Sequence, residues 1–167
     1  MNRRMSTLLV ATIALLCWGI AVPHGVVGQT AKDHVGTWAL ISSDTVTPDG
    51  KKTPTFGGPA TGILIFGSDG RFIYLLSGTD LPKFASNNRN TGTADENTAV
   101  VKGSISTYGT YSVAGNVFSL KIENSTFPNW KGADQTRTIT VSGDEMKWSN
   151  PAGSGGGVVE LILKRVK

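Results

Sequence analysis

Residues 104–125 read SISTYGTYSVAGNVFSLKIENS, and the spacing of apolar residues in this stretch decides the fold. Phe118, Leu120 and Ile122 alternate with polar residues, which places the two sets on opposite faces of a β-strand. The segment Ala114-Gly115-Asn116 separates this strand from the preceding run Ser104–Val113. Because Gly and Asn accept the backbone angles that tight turns need, the stretch predicts a β-hairpin.

Six further runs of the same kind flank this hairpin, most of them separated by turn residues such as Asp69-Gly70. The eight runs are Gly36–Val46, Thr61–Phe66, Arg71–Ser77, Ser104–Val113, Val117–Ser125, Gln135–Val141, Glu145–Ser149 and Val158–Val166. Eight short strands joined in sequence by hairpins form a meander, which hides its edges by closing into a barrel. The sequence therefore predicts an all-β domain, an antiparallel up-and-down barrel of eight strands.

One segment between the third and fourth strands has a helical pattern. Thr93-Ala94-Asp95-Glu96 is a capping box, in which Thr93 caps a helix and Glu96 reaches back to the Thr93 amide. Val101 and Ile105 add a thin apolar stripe at a helical spacing. The pattern predicts a short helix from about Ala94 to Lys102. The polar loop 78–92 before it is either a lid over the barrel or merely a mobile connection.

The first 28 residues have the three parts of a secretory signal peptide. A basic Asn2-Arg3-Arg4 head precedes the apolar run Ser6–Val22, and Val26-Val27-Gly28 supplies small residues before a cleavage site at Gln29. We expect a mature domain of residues 29–167 in the periplasm or outside the cell, with no stable membrane span after cleavage.

Cleavage at this site also sets the chemistry of the mature domain. The lone Cys17 leaves with the signal peptide, so neither disulfides nor thiolate chemistry is expected. The formal net charge falls from +4 to +2, since the signal peptide contains two arginines and no acid. This small excess is spread over scattered lysines and argues against a nucleic-acid partner.

Several motifs resemble one known family along nearly the whole mature chain. Gly36-Thr37-Trp38 matches the G-x-W opening of lipocalins, and the sequence resembles bacterial and fungal lipocalin-like domain proteins. The other matching segments are Pro48-Asp49-Gly50, Thr61-Gly62-Ile63-Leu64, Pro82-Lys83-Phe84-Ala85-Ser86, Gly109-Thr110-Tyr111, Phe127-Pro128-Asn129-Trp130 and Leu161–Val166.

The resemblance implies a calycin-type barrel with an internal cavity. It also implies structural roles for Gly36, Trp38 and Arg165, with the Arg165 guanidinium stacked over the Trp38 ring as a cation–π pair. Family members often have a His-x-Glu pair before the FPNW segment, where this chain has Lys121-Ile122-Glu123. Any proton-transfer role of that histidine is therefore in doubt here.

The candidate ligand-binding residues fall into two groups. The first group can stack on or hydrogen-bond a ligand, although aromatic side chains in small barrels more often form the core: Tyr74, Phe84, Tyr108, Tyr111 and Trp130. The second group is Lys121, Glu123 and Arg137 on neighbouring strands. These three are either a buried charged cluster that binds a carboxylate or moves a proton, or a solvent-facing group of little energetic weight.

Familiar catalytic signatures are missing from the mature sequence. His34 is its single histidine and is expected at the surface, so neither a Ser-His-Asp triad nor a His/Cys metal site is expected. No cofactor is expected either, and the catalytic residues are unknown. The leading hypothesis is an exported barrel that holds a small, largely apolar or amphipathic ligand. The alternatives are an isomerase or cyclase that uses the cavity, with Lys121, Glu123, Arg137 and Tyr74 as its candidate groups, and a protein-interaction module.

Overall fold

The computed structural model describes residues 31–167, so the predicted signal peptide, residues 1–28, lies outside the described residues. Two helices and nine strands follow one another in these residues. They are α1 (Ala31–His34), β1 (Gly36–Val46), β2 (Lys52–Pro54), β3 (Ala60–Phe66), β4 (Arg71–Gly78), α2 (Ala94–Gly103), β5 (Ser104–Ala114), β6 (Val117–Ser125), β7 (Asp134–Ser142), β8 (Glu145–Asn150) and β9 (Val158–Arg165). Neither described helix has the length and apolar character needed to cross a membrane.

The strands close into the predicted eight-stranded antiparallel barrel. Each of β3 to β8 pairs with the next strand along the chain, and β1 joins β3 to β9. Trp38 shows the closure directly, because it is opposite Leu64 of β3 on one side and Arg165 of β9 on the other.

The short strand β2 is an addition that the sequence pattern did not predict. It pairs with residues 44–46 of β1, along the same edge that pairs with β3 through residues 36–39. Three residues ending in Pro54 carry too little alternation to be recognised as a strand. Pairing between β1 and β3 ends at Ala39 and Ile63, and β2 pairs with the last residues of β1 beyond this point.

Strand alternation fills the barrel interior with large apolar side chains. Phe118, Leu120 and Ile122 of β6 are at most 1% exposed, whereas Lys121 and Glu123 point outward. The other buried apolar residues are Trp38, Leu40, Leu64, Phe66, Phe72, Tyr74, Leu76, Ile139, Met146, Trp148, Leu161 and Leu163. One continuous aromatic and aliphatic core therefore supports the barrel.

A β-bulge at Ile41 changes which residues of β1 face the interior. Leu40 is opposite Leu163 and Ser42 is opposite Ile162, so Ile41 is the extra residue and is 60% exposed. The bulge reverses the alternation that begins with Trp38 and Leu40, and it turns Ser43 inward, where this residue is buried.

A second bulge lies at Glu123 of β6 and explains Gly109 of β5. Gly109 is opposite Ile122 and Tyr108 is opposite Asn124, which leaves Glu123 unpaired in the ladder. A Cβ atom on Gly109 would lie 1.9 Å from the Lys121 carbonyl oxygen. Only glycine permits this approach of the two backbones.

Helix α2 lies between β4 and β5 and begins with the predicted capping box. The Thr93 hydroxyl accepts from the Glu96 amide at 3.2 Å, and the Glu96 carboxylate accepts from the Thr93 amide at 2.7 Å. Glu96 also accepts from the Ala85 amide at 2.8 Å, which ties loop 78–92 to the helix. Ile105 lies in β5 rather than in the helix, because β5 begins at Ser104.

The closed end of the barrel is built around Trp38 and Arg165. The Arg165 guanidinium carbon lies 4.1 Å from the centre of the Trp38 ring, which is the stacking contact that the resemblance implies. Arg165 also donates to the Val35 carbonyl at 2.8 Å and to the Asp33 carbonyl at 2.6 Å. The Trp38 indole donates to the His34 carbonyl at 2.9 Å, so these contacts hold α1 across the barrel end.

The expectation that His34 lies at the surface is wrong. Its side chain is fully buried, and its ring meets the Phe118 ring edge-on with centroids 4.5 Å apart. The sequence could not reveal this position because α1 has only four residues and folds back under the barrel through contacts with β1 and β9.

We expect Gly109→Ala to lower the free energy of unfolding by about 3 kcal/mol, because its methyl group would force β5 and β6 apart. Urea unfolding measures this change. Gly58→Ala is the matched control, since a Cβ at Gly58 meets nothing within 4 Å. Its effect should stay within about 0.5 kcal/mol, and equal effects of the two variants would refute the close-approach explanation.

We expect Arg165→Met to lower the free energy of unfolding by about 2–3 kcal/mol, because it removes the stack on Trp38 and leaves two carbonyls without their donor. Arg165→Lys should recover part of the loss, since lysine keeps the charge but lacks the planar fork. Urea unfolding of both variants checks this order. A Met variant as stable as the parent protein would contradict it.

Candidate functional site

The end opposite Trp38 is the mouth of the barrel. It is formed by the last residues of β1, β4, β6 and β8 and the first residues of β3, β5, β7 and β9, together with the loops that join them. A cavity of about 40 Å³ opens here. Its lining residues are Ser43, Thr55, Phe56, Tyr74, Leu76, Ile105, Trp130, Trp148, Asn150, Gly153, Ser154, Val159 and Leu161.

The internal cavity implied by the resemblance is thus small and confined to the mouth. Pockets for drug-sized ligands usually measure about 300–1,000 Å³. At 40 Å³ this cavity has room for a few water molecules. Aromatic side chains at the closed half, such as Phe66, Phe118 and Tyr111, occupy the space below it. A ligand larger than water therefore has to displace side chains at the mouth.

Trp130 is the lining residue best placed to move. It ends the 3₁₀ turn Pro128–Trp130, which lies in the loop between β6 and β7. Its ring meets the Phe127 ring edge-on at 5.6 Å, and the side chain is only partly buried against the core. A partly buried aromatic ring on a loop can change rotamer at lower cost than one on a strand.

Arg137 of β7 faces the barrel interior and lies next to two of the aromatic rings that line this cavity. Its guanidinium carbon is 5.7 Å from the Trp130 ring centre and 5.9 Å from the Trp148 ring centre. One terminal nitrogen donates to the Thr136 carbonyl at 2.7 Å, and the other donates to the Gln135 side-chain oxygen. The side chain is 3% exposed, and burial lowers the pKa of Arg137.

Tyr74 of β4 faces Arg137 from across the barrel. Burial raises the pKa of the Tyr74 hydroxyl, against smaller opposing effects of a hydrogen bond with Thr107 and of the Arg137 charge. Its ring meets the Trp148 ring edge-on, with centroids 6.2 Å apart. The hydroxyl is therefore neutral near pH 7, and its neighbours are the guanidinium and a threonine.

Ser43 adds a polar group to the cavity wall. Its hydroxyl is buried and has no hydrogen-bond partner among the described residues. Buried polar atoms nearly always have a partner, so this hydroxyl is suited to a polar ligand atom or a water molecule.

The structure brings together only some of the predicted ligand-binding residues. Tyr74 and Trp130 line the mouth cavity, and Arg137 contacts its wall. Tyr111 belongs to the closed end, where its ring stacks on Phe118 and its hydroxyl donates to the Gly67 carbonyl at 2.9 Å.

Two other candidates lie away from the cavity. Tyr108 is 40% exposed on the outer face of β5. Phe84 is in loop 78–92, where its ring packs beside Gly92.

Of the two alternatives for Lys121, Glu123 and Arg137, the buried charged cluster is not formed. Alternation along β6 and β7 puts the first two residues outside the barrel and Arg137 inside it. Glu123 instead pairs with Arg71 at 2.7 Å on the outer surface. The groups proposed for an isomerase or cyclase are therefore divided between the two sides of the wall.

Trp148, Ser43 and Asn150 are site residues that sequence reasoning missed. Trp148 and Asn150 share a face with Met146, and the alternation of β8 could have revealed them. Ser43 could not be found this way, because its inward direction depends on the bulge at Ile41.

Phe84 and Trp130 do not form an exposed apolar patch of the kind that would favour the interaction-module alternative, since both side chains are partly buried. One group of exposed apolar side chains lies instead on the outer faces of β3, β4 and β5. They are Ile63, Ile65, Ile73, Leu75 and Tyr108, each 39–51% exposed.

We expect the free energy of unfolding to fall as the pH rises above about 10, the usual pKa of tyrosine. Because burial raises the pKa of Tyr74, the folded protein keeps a proton that the unfolded chain releases, and this favours unfolding at high pH. Tyr74→Phe should have a shallower decline, as measured by urea unfolding between about pH 9 and pH 11. Identical slopes for both proteins would contradict the assignment.

Comparison with known proteins identifies the family. A profile of the lipocalin-like domain matches residues 35–165, whereas no curated protein matches in sequence. Similar solved structures include a lipocalin-like protein from Bacteroides uniformis, which is 16% identical, with 80% of this chain and 99% of that chain covered and a TM-score of 0.45.

Two other similar structures, each with 83% of this chain and 99% of the other covered, are a variant of the fluorescent protein UnaG and secretory abundant heat soluble protein 4 from Ramazzottius varieornatus. The UnaG variant is 14% identical with a TM-score of 0.38, and the Ramazzottius protein is 13% identical with a TM-score of 0.39. The profile match covers most of the chain, and the strands it spans form the barrel described above: the chain belongs to the lipocalin-like domain family.

Proposed function

We propose that this protein is an exported carrier that binds a small, largely apolar molecule at the barrel mouth. The observation that carries the proposal is the mouth cavity, which is lined mainly by apolar and aromatic side chains. Phe56, Leu76 and Ile105 supply apolar surface, while Trp130 and Trp148 supply ring faces. Burial of a ligand's apolar surface against such walls supplies most of the binding free energy.

Movable elements around the cavity support entry of a ligand larger than the 40 Å³ space. Trp130 belongs to a short loop, and the glycine-rich loop 151–157 contributes Gly153 and Ser154 to the cavity lining. The Trp130 ring lines the cavity and its centre lies 5.7 Å from the Arg137 guanidinium carbon, so rotation of this side chain is the change that we propose admits a larger ligand. Rotamer changes of this kind are common when ligands or partners bind.

Export remains a proposal drawn from the sequence of residues 1–28. A carrier function is compatible with export, because a domain without catalytic signatures can still hold a ligand outside the cytoplasm. The catalytic alternative has lost support, since Lys121 and Glu123 lie on the outer wall.

We expect saturable binding of at least one of three neutral probes, benzamide, 2-naphthamide and decanamide, in isothermal titration calorimetry of the mature protein. Ile105→Trp should abolish it, because Ile105 lines the cavity and the larger ring fills the space. Ile73→Trp is the matched control, since Ile73 is 46% exposed on the outer face of β4, and it should bind as the parent protein does.

Two results would contradict the carrier proposal. One is that none of the three amides binds and none of the corresponding carboxylic acids (benzoic, 2-naphthoic and decanoic acid) binds. The other is that a probe binds with equal affinity to the parent protein and to the Ile105→Trp variant.

A further inference from the structure

Arg137 is a buried cation whose charge no acidic side chain in the described part of the chain neutralises. The ion pairs among the described residues join Lys52 to Glu160, Arg71 to Glu123, Lys147 to Glu145 and Lys167 to Asp144, and they all lie at the surface. The protein partners of Arg137 are a carbonyl, an amide oxygen and the neighbouring Tyr74 hydroxyl, and all of these are neutral.

The hydrogen-bonding capacity of Arg137 is also only partly used. A guanidinium group has five N–H donors in a planar fork. The two terminal nitrogens donate to the Thr136 carbonyl and to the Gln135 side chain, and Nε is buried without a partner among residues 31–167. Leaving a buried donor and a buried charge unpaired destabilises a protein.

The surroundings of Arg137 match the needs of an amphipathic anion. The guanidinium lies between the Trp130 and Trp148 rings, and both rings line the apolar cavity. Tyr74 and Ser43 place two hydroxyl groups on the same cavity wall. A carboxylate accepts hydrogen bonds from a guanidinium fork and from hydroxyl groups, and it supplies the missing negative charge.

We infer that the ligand of this barrel is an apolar carboxylic acid whose carboxylate binds Arg137 and whose hydrocarbon or aromatic body fills the mouth cavity. This inference rests on the proposed carrier function and names the substrate class. Trp130 turns away to admit the carboxylate, since its ring contacts both the cavity and the guanidinium. The Tyr74 hydroxyl donates a further hydrogen bond to the carboxylate.

Matched acids and amides test this inference directly. Benzoic, 2-naphthoic and decanoic acids have nearly the same size as benzamide, 2-naphthamide and decanamide but carry a charge near pH 7. In calorimetric titrations at that pH, the acid of each binding pair should bind about 10- to 100-fold more tightly than its amide. Arg137→Met should remove this preference, so that each acid binds no more tightly than its amide.

Two further variants separate recognition from folding. Lys147→Met removes the same charge from the outer face of β8 and should keep the acid preference. Arg137→Lys retains the positive charge but lacks the planar guanidinium fork, so it should keep part of the preference for acids. The melting temperature of Arg137→Met should equal or exceed that of the parent protein, because the variant loses an uncompensated buried charge. A lower melting temperature with an unchanged acid preference would instead assign Arg137 a purely structural role.

The outcomes distinguish this inference from the proposed function. Two outcomes overturn the inference and leave the carrier proposal in place. In the first, the parent protein binds acids and amides equally. In the second, the Arg137→Met variant keeps the preference for acids. Failure of all six probes to bind overturns both. An acid preference that disappears only when Arg137 is changed supports both.

Discussion

Closure of one sheet into a barrel is the constraint on which the rest of this structure depends. Once β1 pairs with both β3 and β9, every second side chain of eight strands faces one shared interior. That interior has to be filled by apolar groups, and any polar group placed there needs a partner. Each feature of the candidate site follows from where inward-facing and outward-facing side chains alternate regularly along a strand and where a β-bulge reverses that alternation.

The two ends of the barrel use an arginine on an indole ring in different ways. At the closed end, Arg165 lies over Trp38, and its remaining donors bind two backbone carbonyls of the segment that covers the end. At the mouth, Arg137 lies between two indole rings, but its Nε has no partner among the described residues. The first arrangement is a completed structural contact, whereas the second has hydrogen-bonding capacity left for a ligand.

The sequence predicted the barrel well because its strands carry regular alternation and most of its turns contain glycine. The capping box of α2 was predicted for the same reason, since the two residues that form it are three apart in the chain. The site was predicted less well. The inward direction of Ser43 depends on an extra residue at Ile41, and the burial of His34 depends on contacts with distant strands. Arg137 was grouped with Lys121 and Glu123 because the three residues belong to neighbouring strands. Membership of neighbouring strands does not show which face of the sheet each side chain occupies.

The central claim is that the mouth of this barrel retains a small acid through Arg137. Native mass spectrometry of the full-length gene product, purified gently from its own host, tests it most directly. We predict a reproducible extra mass on the parent protein that denaturation releases as a small carboxylic acid and that is absent from the Arg137→Met variant. The same extra mass on both proteins, or a released molecule without an acidic group, would contradict the account.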